Sequence, residues 1–296
     1  MIHKISISFA VLSLLFTSCK TEKKKEGVSI DTQKQETTME LSNKEKAVAL
    51  LTSLETGDQK PVGYINPNKY IQHNLAVGDG LAGFGALLQN APKSGFKANV
   101  IRSYQDGEYV FTHTIYDFFG PKIGFDVFRF ENGKIVEHWD NLIDLAPVNP
   151  SGHTQTDGPI KATDLDKTIS NKALVNDFVS SILMKGEMDK IGNYIEGDNY
   201  TQHNPVIADG LSGLGKALEG MAKQGISMVY TKIHKVLGEG NFVLVISEGT
   251  FADQPTSYYD LFRVDNGKIV EHWDVVETII AKSEWKNTNG KYNFPN

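Results

Sequence analysis

Apolar positions recur along the chain at two spacings, and the change from one spacing to the other happens twice. Ala47, Leu50, Leu51 and Leu54 fall at i, i+3, i+4 and i+7, and Leu174, Phe178 and Ile182 at i, i+4 and i+8. Each set predicts an amphipathic helix with one stripe turned to a core. A second helix is predicted after Asp79 and again after Asp209, each placed to cap it, with Leu81, Phe84 and Leu88 or Leu211, Leu214 and Leu218 on one face. Downstream, β-branched and aromatic residues take over. The predicted strands are VIRSY, GEYVFTHTIY, FDVFRF and KIVEHWD in the first half, and VYTKIHKVL, NFVLVISEG, YYDLFRV and KIVEHWD in the second, broken by Asp-Gly, Glu-Gly and Asn-Gly. Helices followed by an antiparallel meander predict an α+β fold, with helices packed on one face of a curved sheet.

The alternation is a duplication. NGKIVEHWD occurs at residues 132–140 and again, letter for letter, at 266–274. YIQHN at 70–74 matches YTQHN at 200–204 with an offset of 130, whereas FDVFRFENGKIVEHWD matches YDLFRVDNGKIVEHWD with an offset of 134. The second copy therefore carries a net insertion of four residues, expected in a loop. The copies are placed at 41–145 and 169–282, joined by a turn-rich linker at 146–168 and followed by a tail at 283–296. His153, in the linker, is expected at the surface.

The beginning of the chain has a different character. Residues 1–18 hold Lys4, an apolar run from Ile5 to Phe16 and small residues, and read as an export signal too short to anchor. Cys19 is the only cysteine, so no internal disulfide can form. Its position at the end of the signal resembles the lipobox of bacterial lipoproteins, which implies acylation of Cys19, a lipid anchor and placement in the bacterial cell envelope, in the periplasm or outer membrane. Residues 19–40 are polar and charged and predict a tether. Without the signal the formal charge moves from −6 to −7, which argues against nucleic acid as a partner.

The repeated hairpin carries the candidate chemistry. A two-residue turn at Asn132-Gly133 would set Phe130 opposite Ile135, and His138 opposite Val127 with Asp126 on the other face. A three-residue turn would set His138 opposite Asp126. The second register is preferred, because it gathers Asp126, His138 and Asp140 on one face and leaves Arg129 near Glu137 on the other. The same arithmetic gathers Asp260, His272 and Asp274, with Arg263 near Glu271. A carboxylate beside an imidazole fixes its tautomer and raises its basicity, so that the pair can exchange a proton near neutral pH. A satisfied polar network without chemistry is the alternative. Gln72-His73-Asn74 and Gln202-His203-Asn204 are expected either to line a cavity or to cap the following helix. His113 has Ile246 as its counterpart, so the second copy does without it or uses His234 or Glu248. The spacing of His73, His113, His138 and Asp140 matches no established zinc pattern, and neither metal nor cofactor is expected.

The order of elements, the YxQHN segment before an Asp-Gly helix start, and the xDxFRxxNGKIVEHWD hairpin together resemble the SnoaL-like group of the nuclear transport factor 2-like superfamily. The resemblance covers both copies. It implies two cone-shaped α+β barrels, each with a deep, mostly apolar cavity, and an intrachain pseudo-dimer of the two domains. Members include polyketide cyclases that perform aldol condensations, ketosteroid isomerases, epoxide hydrolases and dehydratases, while others only bind ligands. Carried over, the cavity set is His73, Asn74, His113, Asp126, His138 and Asp140 in the first copy, and His203, Asn204, Asp260, His272 and Asp274 in the second. The departures, Leu75 where the second copy has Pro205 and Ile246 in place of a histidine, suggest that one copy is active and the other a packing partner. The leading expectation is a cofactor-free enzyme on a small apolar carbonyl compound. Asp140 and His138 would move a proton α to the carbonyl, Asp126 would orient the histidine, and His73 or His113 would meet the enolate. The rivals are a non-catalytic, lipid-anchored binding protein and a structural envelope component.

Overall fold

The computed structural model describes residues 40–90, 92 and 95–295. The signal, Cys19 and the tether through residue 39 lie outside the described residues. Among those described, no helix is long and apolar enough to cross a membrane.

Each copy is an α+β unit built in the same order. The first comprises α1 (Asn43–Thr56), β1 (Ile71–Gln72), α2 (Gly80–Gln89) and four long strands, β2 (Lys97–Asp106), β3 (Tyr109–Asp117), β4 (Pro121–Glu131) and β5 (Lys134–Asp144). The second comprises α3 (Thr168–Phe178), prolonged by a π-helical stretch at Val179–Met184, then β6 (Thr201–Gln202), α4 (Gly210–Lys223), β7 (Met228–Glu239), β8 (Phe242–Phe251), β9 (Gln254–Asp265) and β10 (Lys268–Thr278). Strand order is β1-β5-β4-β3-β2 in one sheet and β6-β10-β9-β8-β7 in the other. The short first strand of each sheet is parallel to the last, and all other pairs are antiparallel.

Local chemistry starts α1 with a capping box: the Ser42 hydroxyl accepts the Glu45 N–H, and the Glu45 carboxylate accepts the Ser42 N–H. The second helices differ from expectation in two ways. Asp79 and Asp209 stand at the N-cap positions, but their side chains make no cap hydrogen bond to the helix. Their carboxylates instead accept the backbone N–H of Gln72 (3.0 Å) and Gln202 (2.9 Å), tying the QHN segment to the helix start. Helix α4 also has 14 residues where α2 has 10, but its connection to the equivalent rung of β7 is shorter by two, and the other two inserted residues fall in a second bulge of β7 and in the β8–β9 turn.

The long strands are buried on both faces, which is why they read as nearly continuous apolar runs. One face of each sheet packs on its own helices, around Leu50, Val110 and Phe128 in the first copy and Val175, Val243 and Phe262 in the second. The other faces pack on each other. Phe125, Val127 and Trp139 share one cluster with Leu244, Leu261 and Trp273, and both tryptophans are fully buried. Asn141 bridges the sheets by donating to the carbonyls of Ser257 (2.8 Å) and Val275 (3.0 Å). Burying side chains of this size contributes about 1.5–3 kcal/mol each, so the shared cluster binds the two halves tightly.

Candidate functional site

The hairpin that opens the site combines both turn geometries weighed from sequence. Asn132 and Gly133 have φ of 48° and 71°, and Phe130 pairs with Ile135, which is the two-residue turn. One residue later the ladder shifts: Arg129 pairs with Glu137, and Val136 is left as a bulge. The bulge undoes the change of face that the tight turn imposes. His138 therefore stands opposite Phe128, and Asp126 opposite Asp140, with all four on one face. The expected direct pairing of His138 with Asp126 is corrected to a diagonal one on the same face. Arg129 and Glu137, expected as a diagonal pair, are directly opposed, with Arg129 Nε donating to Glu137 at 2.7 Å. Copy two repeats the shift between Ile269 and Glu271, so that His272 opposes Phe262 and Asp274 opposes Asp260.

That face lines a cavity in each copy. Cavity 1, of about 310 Å³, is lined by Asp126, His138 and Asp140 together with Tyr70, Gln72 and Asn74. Cavity 2, of about 640 Å³, is lined by Asp260, His272 and Asp274 with Tyr200, Gln202 and Asn204. In cavity 1 the Gln72 Oε1 accepts the Asn74 backbone N–H at 2.8 Å, which identifies that end of the amide as oxygen. His138 Nδ1, 3.0 Å from the same oxygen, therefore donates to it. Nε2 lies 3.2 Å from Asp126 Oδ1, so one further proton is shared between ring and carboxylate. Asp126 also accepts from Tyr116 Oη (2.6 Å) and Thr112 Oγ1 (3.2 Å). Asn74 Nδ2 donates to Asp140 Oδ2 at 2.7 Å, while Asp140 Oδ1 is buried and has no partner among the described residues.

The second copy repeats these links. His272 lies 3.0 Å from Gln202 Oε1 and 3.1 Å from Asp260 Oδ1, and Asn204 donates to Asp274 at 2.7 Å. Burial pushes both imidazoles down, but the hydrogen bond to Asp126 or Asp260 and the charge of both neighbouring carboxylates outweigh it, leaving His138 and His272 above the ordinary histidine value. Burial lifts Asp274 above the ordinary carboxyl range. Each site thus sets a histidine of raised basicity beside a carboxylate that lines a cavity.

Three histidines assigned to the cavities lie elsewhere. His73 and His203 sit on the opposite side of the sheet, stacked on Trp139 and Trp273 with ring centroids 4.6 Å apart in both cases. His73 bridges the Glu137 carboxylate (2.9 Å) and the Gly290 carbonyl (2.6 Å); His203 bridges Glu271 (2.9 Å) and the Thr154 carbonyl (2.8 Å). Neighbouring residues alternate faces along an extended segment, so Gln72 and Asn74 reach the cavity and His73 cannot. His113 is on the inter-sheet side, where Arg102 donates to its Nδ1 at 2.8 Å and it stacks on Phe125. Burial, with the Arg102 charge, holds His113 well below the ordinary value, as an uncharged support for Arg102. Its counterpart Ile246 pairs with Lys235, which packs over the Tyr109 ring, so the loss of the histidine in copy two does not touch cavity 2. His234 pairs with Glu248 at 3.2 Å and stacks on Tyr292, also away from the cavity. His153 is half-buried, 3.0 Å from Asp209, and pins the linker to the start of α4.

The missed residues are phenols. Tyr70 and Tyr200 open the repeated motif, yet sequence reading used them only to mark the histidines that follow. Tyr116, on β3, holds Asp126, whereas Tyr230, on β7, holds Asp260 at 3.2 Å from each carboxylate oxygen. The tyrosines occupy different strands because Tyr116 pairs with Ala98 in one sheet and Tyr230 with Gly249 in the other. Large and small have exchanged sides of the same rung. A Cβ on Gly249 would meet the Val229 carbonyl oxygen at 1.7 Å, so the tyrosine of copy two cannot sit there.

One donor atom each from Asp126, His138 and Asp140 lies within 4.8 Å of the others, as do those of Asp260, His272 and Asp274, and such a set could hold a cation. Holding a cation there would require the His138–Asp126 pair to give up the proton it shares, because metal ligands bind deprotonated.

Residues 175–272 match the family model of the SnoaL-like domain. The second copy accordingly carries a SnoaL-like domain, and the first copy repeats its sheet strand for strand. Among solved structures, the chain is similar to an LEH-like epoxide hydrolase of M. tuberculosis (20% identity, 33% of this chain and 80% of that one, TM-score 0.29). It is also similar to TsrD from Streptomyces laurentii (18% identity, 35% and 91%, TM-score 0.29). A third likeness is to an NTF2-like protein from Cytophaga hutchinsonii (12% identity, 36% and 94%, TM-score 0.32). No curated protein matches the chain.

Proposed function

We propose that the cavities perform cofactor-free acid/base chemistry α to a carbonyl, of the aldol-condensation or isomerisation type, on small and largely apolar molecules. The observation that carries this reading is Asp140, which lines the cavity beside the Asp126–His138 pair and whose Oδ1 is buried and unpartnered among the described residues. A carboxylate oxygen with no other acceptor duty can take the α-proton. The electron pair left behind becomes an enolate, whose oxygen can receive the Tyr70 hydroxyl proton as a hydrogen bond. Tyr70 lines the cavity, and its oxygen only accepts, from Gln72 at 3.4 Å. In an isomerisation Asp140 returns the proton to another carbon. In a condensation the enolate carbon attacks a second carbonyl, the alkoxide formed takes a proton from His138, and Asp140 restores that proton to the ring.

Exchange of α-hydrogens needs only the first half of this sequence. Incubating 2-tetralone in D₂O with the protein and following the α signals by NMR should show exchange above the buffer rate. Asp140→Asn with Asp274→Asn should lower it by about 10²–10⁴-fold, the usual worth of a positioned base. Exchange at the buffer rate in the parent protein would overturn the enzymatic reading. Holding a molecule without turnover would then stand, and the larger cavity 2 favours that second reading for its own domain. The proposal places this activity outside the cytoplasm, tethered by acylation of Cys19. Mass spectrometry of the N-terminal peptide should find the acyl chains, and Cys19→Ala should release the protein from membranes.

A further inference from the structure

Each cavity is lined in part by a residue of the other domain. Glu277, on β10, lines cavity 1, and Ile143, on β5, lines cavity 2. The two are equivalent, separated by the same 134 residues that relate the hairpins. A second equivalent pair differs in the same sense: Lys122 lines cavity 1 and Thr256 lines cavity 2. The duplication thus preserved the reacting groups and changed the far wall from charged to uncharged.

The wall of cavity 1 is held in place from a distance. Lys291, in the tail and 7% exposed, pairs with Glu277. The tail is anchored on domain 1, where Asn287 Nδ2 donates to the carbonyls of Asn74 (2.7 Å) and Val77 (2.9 Å), and Asn289 Nδ2 to that of Gln72 (2.9 Å). The linker makes the mirror-image strap on domain 2. Asn149 Nδ2 donates to the carbonyls of Gln202 (2.6 Å) and Ile207 (3.1 Å), and the Asn149-x-x-Gly152 spacing recurs as Asn287-x-x-Gly290. In the linker strap the counterpart of Lys291 is His153, which pairs with Asp209 and not with the residue on the cavity wall.

We propose that the two cavities sort ligands by this wall: cavity 1 takes a smaller molecule whose outer end carries an amine or hydroxyl donated to Glu277, and cavity 2 takes a larger one with an apolar outer end. A carboxylate only accepts hydrogen bonds, and a donor group reaching it from an otherwise apolar ligand satisfies both partners out of water. An apolar group placed there would cover the Glu277 oxygen that Lys291 does not hold and give it no partner. Ile143 reverses both statements. The proposal rests on the reading that the cavities hold small molecules and does not depend on turnover.

Three probes with one ring system test it by calorimetry: 2-naphthylmethylamine, 2-naphthol and 2-methylnaphthalene. Ala217→Trp fills cavity 2 and leaves cavity 1 to be read alone, and Ala76→Trp does the converse. In the first background the amine and the naphthol should bind more tightly than the hydrocarbon. Glu277→Gln, which keeps the shape, and Glu277→Ile should each weaken the amine about tenfold and spare the hydrocarbon. In the second background the hydrocarbon should bind best, and Ile143→Glu should invert the order. The same ranking in both cavities, or a ranking that Glu277→Gln leaves unmoved, overturns the proposal. Failure of every probe to bind either cavity overturns the underlying reading as well.

Discussion

Cavities 1 and 2 hold their histidines at matching distances, 3.0 Å from a glutamine oxygen in both and 3.2 or 3.1 Å from an aspartate. Around that shared centre almost everything else differs, including the volume, the outer wall and the strand that supplies the phenol. The difference separates two kinds of constraint. Proton transfer needs particular atoms at particular distances, so both copies keep the hairpin letter for letter. Holding a carboxylate from behind needs only a hydroxyl within reach, so Tyr116 and Tyr230 can come from different strands.

The largest expected effect tests whether the centres are truly alike. Asp140→Asn and Asp274→Asn, made singly in the backgrounds with one cavity filled, should each abolish α-exchange in its own cavity by about 10²–10⁴-fold and spare the other. If only one matters, the copies have diverged in chemistry and not merely in their walls. Next come the stacked tryptophans of the shared cluster. Trp139→Ala or Trp273→Ala should destabilise the whole protein by about 3–5 kcal/mol, with a single denaturation transition, because the cluster belongs to both sheets. Two separate transitions would show the halves to be independent.

The phenols should separate the copies. Tyr116 donates at 2.6 Å in a single bond, whereas Tyr230 is divided between two oxygens at 3.2 Å. Tyr116→Phe should cost about 1.5–3 kcal/mol and Tyr230→Phe less, measured by urea denaturation.

The pH dependence should be common to both. His138 and His272 are raised in the folded state, so the stability they contribute is complete below the unfolded value near 6.5. It is lost as pH rises through the folded values above that. Asp274 is also raised, so ionising it costs stability as pH rises from about 3.8 through its folded value. Urea midpoints should therefore fall on going from pH 6 to pH 9, and His138→Gln with His272→Gln should flatten that fall. The smallest effect belongs to the half-exposed Lys44–Glu239 pair between the domains, where Lys44→Ala should cost about 0–1 kcal/mol.

The fold was legible because both periodicities repeat, and the repeat exposed the motif. The reacting face was legible too, although for a reason only partly right. Tight turn and bulge each reverse the face, and together they return His138 to the side of Asp126 that a looser turn would have given. The misplaced histidines show the limit. Recurrence of His73 and His203 marked a constrained position, but the constraint is stacking on a buried tryptophan and holding the strap, and sequence does not say which neighbour imposes a constraint. The phenols were hidden more deeply, since an exchange of large and small across a rung defeats alignment by position. The straps were in view as Asn-x-x-Gly but fell in segments read as structureless.

The straps also set an order of events. A chain made from its N-terminus forms the sheet of domain 1 first, yet the carbonyls of Gln72, Asn74 and Val77 wait for Asn287 and Asn289, within the last ten residues of the chain. Domain 2 receives its strap from a linker already synthesised. The cavity begun first is thus strapped only after domain 2 has been made, and a chain truncated before Asn287 would carry one strapped site and one unstrapped one.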